Sequence, residues 1–138
     1  MKTDDLHFEG IFQRILEKME GWKQYAFHLE AELFAKTEAF RLIQHKSHLK
    51  CFTPTEIRQL SADIHHVFKP LITDLKRSCS SLTDEDILFC CLARLGIASK
   101  NIGHCMGCAS KQAVNQRRYR VKKKLKEAQS SQLIEMIF

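Results

Sequence analysis

A hydrophobic period dominates the first third of the chain. Phe8, Phe12, Ile15, Met19, Trp22, Ala26, Leu29, Leu33, Lys36, Phe40 and Ile43 recur at alternating spacings of four and three, with Lys36 the one polar intruder. This is a heptad seam sustained for about five repeats, with Glu, Lys, Arg and Gln at many of the remaining positions. Gly10 and Gly21 each cost roughly 1 kcal/mol relative to Ala inside a helix, and the length of the seam outweighs them. The pattern predicts one long helix from about Leu6 to Ser47. Two packings satisfy such a seam. It is either an arm folded back on its own domain or a parallel coiled coil, with Phe12, Ile15, Met19, Trp22, Leu29, Leu33 and Phe40 in a homodimer interface.

Shorter, capped pieces follow. In "CFTPTEIRQL", Thr53 caps a helix, Pro54 suits its first position, and Glu56 completes a capping box. Ile57, Leu60, Ile64, Val67 and Phe68 form its buried stripe. Pro70 lacks an amide hydrogen and ends that helix near Phe68 or Lys69, after which Leu71, Ile72 and Leu75 continue as a short helix to about Arg77. "SCSSL" reads as a linker, which divides the chain into a helical dimerisation or linker region, 1–79, and a second domain, 80–138. Thr83 then caps a helix whose start is favoured by Asp84, Glu85 and Asp86, and Gly96 stops it. Its apolar face is Ile87, Leu88, Cys91, Leu92 and Leu95. Ser99 is expected to cap a very short helix, Lys100 to about Met106, anchored by Ile102 and Met106, and Gly107 to provide a turn. Ser110 caps a last long helix to about Ala128, with Val114, Val121 and Leu125 facing inward. The apolar end "QLIEMIF" reads as a helical tail docked on this domain or on a dimer partner. The fold class is all-α.

Composition sharpens this picture in two respects. With 44% hydrophobic residues and only five glycines and two prolines in 138 residues, the chain can bury a core and favours helices over a turn-rich β-fold. No apolar run is long enough to span a bilayer, and the start "MKTDDLHFEG" is too acidic for a signal peptide, so a cytoplasmic location is expected. The charge is uneven. Ten Lys/Arg against four Asp/Glu between Leu82 and Glu127 account for the whole net charge of +6, and Lys111 to Lys126 holds eight bases and no acid. A local excess of this kind predicts a polyanionic partner, most often nucleic acid. An anionic membrane surface suits the segment less well, because Val114, Val121, Leu125 and one Tyr make a narrow apolar face.

Scaffold helix, short helix, sharp turn and basic helix together make a helix-turn-helix arrangement, in which the second helix of the pair enters the major groove. Asn and Gln near its start can bond adenine in a bidentate way, and the Arg and Lys beyond them can neutralise phosphates. The stretch Leu82 to Leu125 resembles the LuxR/GerE-type tetrahelical DNA-binding domain. The resemblance rests on "LT" at Leu82 and Thr83, "LG" at Leu95 and Gly96, "SKNI" at Ser99 to Ile102, "MG" at Met106 and Gly107, "AV" at Ala113 and Val114, and "RYRVKKKL" from Arg118. It is closest to a branch of bacterial regulators in which this domain follows a helical or tetratricopeptide sensor region. It implies a transcription regulator that binds double-stranded DNA, without catalytic residues or cofactor. Base contacts would fall on Asn115, Gln116 and Tyr119, to which the chemistry of its side chain adds Gln112. Phosphate contacts would fall on Ser99, Lys100, Lys111, Arg117, Arg120 and Lys123, with Lys122 beside them. The chain departs from the family in three places. "GCASKQAV" is one residue longer than the usual turn, Gly103 replaces an Ala, and Asn101 replaces a Glu. The competing reading is a helical protein–protein interaction module whose basic helix binds an acidic partner.

Six cysteines without a secretory signal point to reduced thiols rather than a disulfide framework. His104, Cys105 and Cys108 have the look of half a zinc site, but zinc needs a second pair. Neither Cys90 with Cys91 nor His65 with His66 is well formed for chelation, since adjacent helical residues diverge by about 100°. No metal is therefore expected. No thiol is marked as a resolving partner for redox sensing, and no third group accompanies a catalytic Cys–His pair.

Overall fold

The computed structural model describes residues 27–138. The chain divides into two compact units, Met1–Glu32 and Leu33–Phe138. Residues 27–34 are helical, and seven complete helices follow: α1 Glu38–Lys46, α2 Pro54–Val67, α3 Lys69–Ser78, α4 Asp84–Arg94, α5 Ser99–Cys105, α6 Lys111–Glu127 and α7 Ser131–Ile137. The described residues contain no strand, so they are all-α.

The single helix expected from Leu6 to Ser47 is interrupted where the structure describes it. Residues 35–36 form a turn, and Thr37 adopts an extended backbone and caps α1 through its hydroxyl, which accepts from the Phe40 amide at 3.2 Å. The same hydroxyl donates to the Phe34 carbonyl at 2.6 Å. A threonine that bonds its own backbone in this way competes with continued helix. The break re-registers the apolar face. Phe34 and Ala39, both outside the heptad seam, are buried, whereas the seam residues Leu29 and Leu33 are 42% and 55% exposed. Phe40 is half-buried and meets the Phe34 ring edge-on at 6.1 Å, and Ile43 is buried. Phe12, Ile15, Met19 and Trp22 lie outside the described residues.

The second helix forms as its caps dictate. Thr53 and Glu56 make the reciprocal capping box, and Pro54 opens α2. Glu56 also receives the Lys46 ammonium, which with the Thr53 amide holds its carboxyl below the usual range despite partial burial. The Asp63 carboxylate accepts from the Ala39 amide at 3.1 Å, tying α2 to the start of α1. Leu60, Ile64, Val67 and Phe68 are buried, and the chain passes through Phe68 into α3, where Pro70 occupies the first turn. Leu71, Ile72, Leu75 and Cys79 continue the same core. The expected linker "SCSSL", residues 78–82, therefore falls inside the compact unit Leu33–Phe138.

Helix α4 is the centre of that unit. Every residue from Asp86 to Leu92 is buried, although an amphipathic face was expected, because neighbours cover it on several sides. Helices α2, α5 and α7 all pack against it, and α7 also contacts α6. The C-terminal tail thus docks on its own domain, with Leu133 and Ile137 buried and the Phe138 ring 6.0 Å from that of Phe89. Ser99 is not the cap expected of it. It is the first residue of α5, the N-cap position belongs to Ala98, and no side chain bonds there.

The turn between α5 and α6 passes through two successive left-handed positions, Gly107 at φ +82° and Cys108 at φ +69°. The Ala109 amide then donates back to the Gly103 carbonyl at 3.0 Å. This folding-back brings the Ala109 carbonyl so close that a Cβ on Gly103 would meet it at 2.2 Å. Gly103 and the tight turn that follows it are therefore matched to each other. Gly103→Ala should destabilise the protein by about 1–3 kcal/mol in urea unfolding, although Ala is the better helix former. An unchanged or raised stability would contradict the close approach.

Candidate nucleic-acid interface

Helix α6 has one buried line, one open face and two flanks, set by its 3.6-residue period. Val114, Val121 and Leu125 are at most 2% exposed and fix the helix against the core. Ser110 caps its start, accepting from the Ala113 amide at 3.0 Å. On the opposite side Lys111, Gln112, Asn115, Gln116, Tyr119 and Arg120 line one shallow, open depression, with Tyr119 69% exposed. Lys123 is exposed as well, and Lys100 is exposed on α5.

Both flanks are used internally. On one, the Arg117 guanidinium donates to Asp86 at 2.7 Å and to Glu85 at 3.0 Å. About two helical turns further on, Lys124 reaches the other Asp86 oxygen at 3.0 Å and the Ser81 carbonyl at 3.1 Å. On the other flank Arg118 donates to the Ser99 hydroxyl at 3.3 Å and lies 5.6 Å from the centres of the Phe89 and Phe138 rings. The Lys122 ammonium lies 5.0 Å above the Phe138 ring, a cation–π distance. The expected contact residues therefore separate into two groups. The structure brings Lys111, Gln112, Asn115, Gln116, Tyr119 and Arg120 together on one face. Arg117, the exposed Lys122 and the half-buried Ser99 lie on the flanks and make contacts within the fold.

In the sequence Asp86 stands only as an acid at a helix start, but in the structure it is buried. Its side chain is 7% exposed and accepts three bonds: from the Thr83 amide at 3.1 Å, from Arg117, and from Lys124, while its own amide donates to the Thr83 hydroxyl in return. Burial alone would raise this carboxyl. The Thr83 amide and the Lys124 ammonium outweigh burial and hold it below its ordinary value of 3.8. The available signal was the seven-residue spacing of Arg117 and Lys124, which puts two cations on one flank facing a buried acid.

Among the described residues, no group of three or more His, Cys, Asp or Glu could hold a metal ion. His104 bonds through Nδ1 to the Ser47 carbonyl at 2.5 Å, and Cys105 is buried. Cys108 is disulfide-bonded to Cys51, which corrects the expectation that all thiols are free. Among the described residues, no helix is long and apolar enough to cross a membrane. No protein-family model, curated protein or solved structure matches the chain.

Asp86→Asn keeps the shape but discards the charge that Arg117 and Lys124 share. It should cost about 1–3 kcal/mol in urea unfolding at pH 7, since both cations are partly exposed and can recover water. Because the folded carboxyl titrates below its unfolded value, its contribution is complete above about pH 4 and is lost as pH falls through the folded value. The gap between the wild type and Asp86→Asn should therefore close on acidification. A gap independent of pH would contradict the assignment.

Proposed function

We propose that this chain binds duplex DNA and acts as a bacterial transcription regulator, with α5, its turn and α6 working as a helix-turn-helix. The observation that carries this reading is the division of labour on α6. Its inward and flanking residues are satisfied within the fold, which leaves a continuous exposed face of amides, one phenol and cations. A solvated surface helix needs no such separation. Seventeen residues give a rod about 25 Å long and 10–12 Å across, matching a major groove about 12 Å wide. In this reading Gln112, Asn115, Gln116 and Tyr119 face base edges, and Lys100, Lys111, Arg120 and Lys123 meet phosphates. Arg117 leaves the contact set and becomes a support. The resemblance of Leu82 to Leu125 to LuxR/GerE-type domains points the same way.

Two copies on a pseudo-palindrome would follow from a homodimer seam that includes the exposed Leu29 and Leu33. Duplex DNA as target also places the working protein in the cytoplasm.

Binding to labelled duplexes over a range of salt tests the reading. Lys111→Ala and Arg120→Ala should weaken binding to every sequence and each reduce the salt slope by about 1. Asn115→Ala should instead relax preference at one base position by about 1–3 kcal/mol. Absence of binding to any duplex at low salt, together with capture of an acidic protein by the same face, would favour the protein-interaction alternative.

A further inference from the structure

The six cysteines fall into two chemical groups. Cys79, Cys90, Cys91 and Cys105 are buried. Burial pushes the Cys105 thiol up to about 12 and that of Cys90 further still, so neither supplies thiolate at physiological pH. Cys51 is half-buried and Cys108 exposed, and these two are bonded to each other, with Cα atoms 5.2 Å apart across 57 residues of sequence. Their placement is as informative as their exposure. Cys51 belongs to the connection between α1 and α2. Cys108 is the non-glycine residue held left-handed in the turn that feeds α6. Two further ties join the same pieces, the Phe52 amide to the His104 carbonyl at 2.8 Å and His104 Nδ1 to the Ser47 carbonyl. The turn that aims α6 is thus anchored on the α1–α2 connection, and the disulfide is the one covalent element of that anchor among the described residues.

We infer that Cys51 and Cys108 are a reversible thiol–disulfide pair whose oxidation clamps the turn and raises the affinity of α6 for DNA; the affinity part rests on the function proposed above. The oxidant is a small-molecule disulfide. The more accessible Cys108 thiolate attacks one sulfur of that disulfide, forming a mixed disulfide and expelling one thiolate. Cys51 then attacks the Cys108 sulfur, forming the internal bond and expelling the second thiolate. Two cysteine thiols lose two electrons, the small disulfide gains them, and the two cysteine protons end on the two released thiols. Reduction by a small thiol reverses each step. In the reduced state Cys108 keeps an unfavourable left-handed backbone without its covalent restraint, so the turn and the first residues of α6 gain freedom.

The full chain, equilibrated in oxidised or reduced glutathione, provides the test. Alkylation under denaturing conditions followed by mass measurement should count four thiols in the oxidised protein and six in the reduced one. Amide hydrogen exchange at Ala109 and Ala113 should be faster after reduction, and duplex affinity should fall about tenfold, within the usual range of coupling between sites. Cys51→Ser removes the bond without altering the turn itself, and should reproduce the reduced behaviour in both buffers. Six thiols in oxidised glutathione would overturn the pair. A bond that forms without changing exchange at the turn would overturn the clamp. Redox-dependent exchange without any duplex binding would uphold the clamp and reject the DNA reading, so the two failures are distinct.

Discussion

The attitude of α6 depends on the buried carboxylate of Asp86, which two cations of that helix share. Asp86 is fixed by the capping box that begins α4, and α4 is the most completely buried helix of the unit. Arg117 and Lys124 converge on its two oxygens from positions about two helical turns apart. Rotation of α6 about its axis would separate at least one cation from a carboxylate that has little access to water. The apolar contacts of Val114, Val121 and Leu125 hold the helix against the core, while this ion-pair triad sets which face looks outward.

Several features of the α5–α6 region follow from that fixed rotation. Once Arg117 and Lys124 point at α4, and Arg118 and Lys122 lie over aromatic rings, the remaining polar side chains are turned to solvent together. The C-terminal tail contributes to the same outcome, because Phe138 supplies one of the rings that Arg118 and Lys122 cover. The turn before α6 is built from the left-handed pair Gly107–Cys108 and the close approach of Ala109 to Gly103. The helix itself runs from Lys111, and the turn before it is anchored on the α1–α2 connection.

Much of this fold was legible because local signals agreed with one another. Thr53 with Glu56, Thr83 and Ser110 mark helix starts by side-chain caps, Pro70 by its missing amide and Gly96 by its left-handed backbone mark helix ends, and each does so in the structure. The long N-terminal helix misled because periodicity is blind to a competing cap. Thr37 breaks the helix, and burial shifts from Leu33 to Phe34. Of the candidate interface, the open face of α6 could be read from residue type and period. The division of its cations could not, since Arg117 and Arg120 look alike in sequence and differ only in whether a buried acid lies across from them. Cys51 and Cys108 escaped for a similar reason. Nothing local relates two cysteines 57 residues apart until the chain folds.

The central claim is that α6 separates supporting cations from a contacting face. Backbone amide NMR during titration with a duplex measures that separation directly. Shifts should concentrate at Lys100 and from Lys111 to Lys123, while the arginine side-chain signal of Arg117 stays as it is in the free protein. Shifts spread over α1 to α3, or release of Arg117 from Asp86 on adding DNA, would contradict the account.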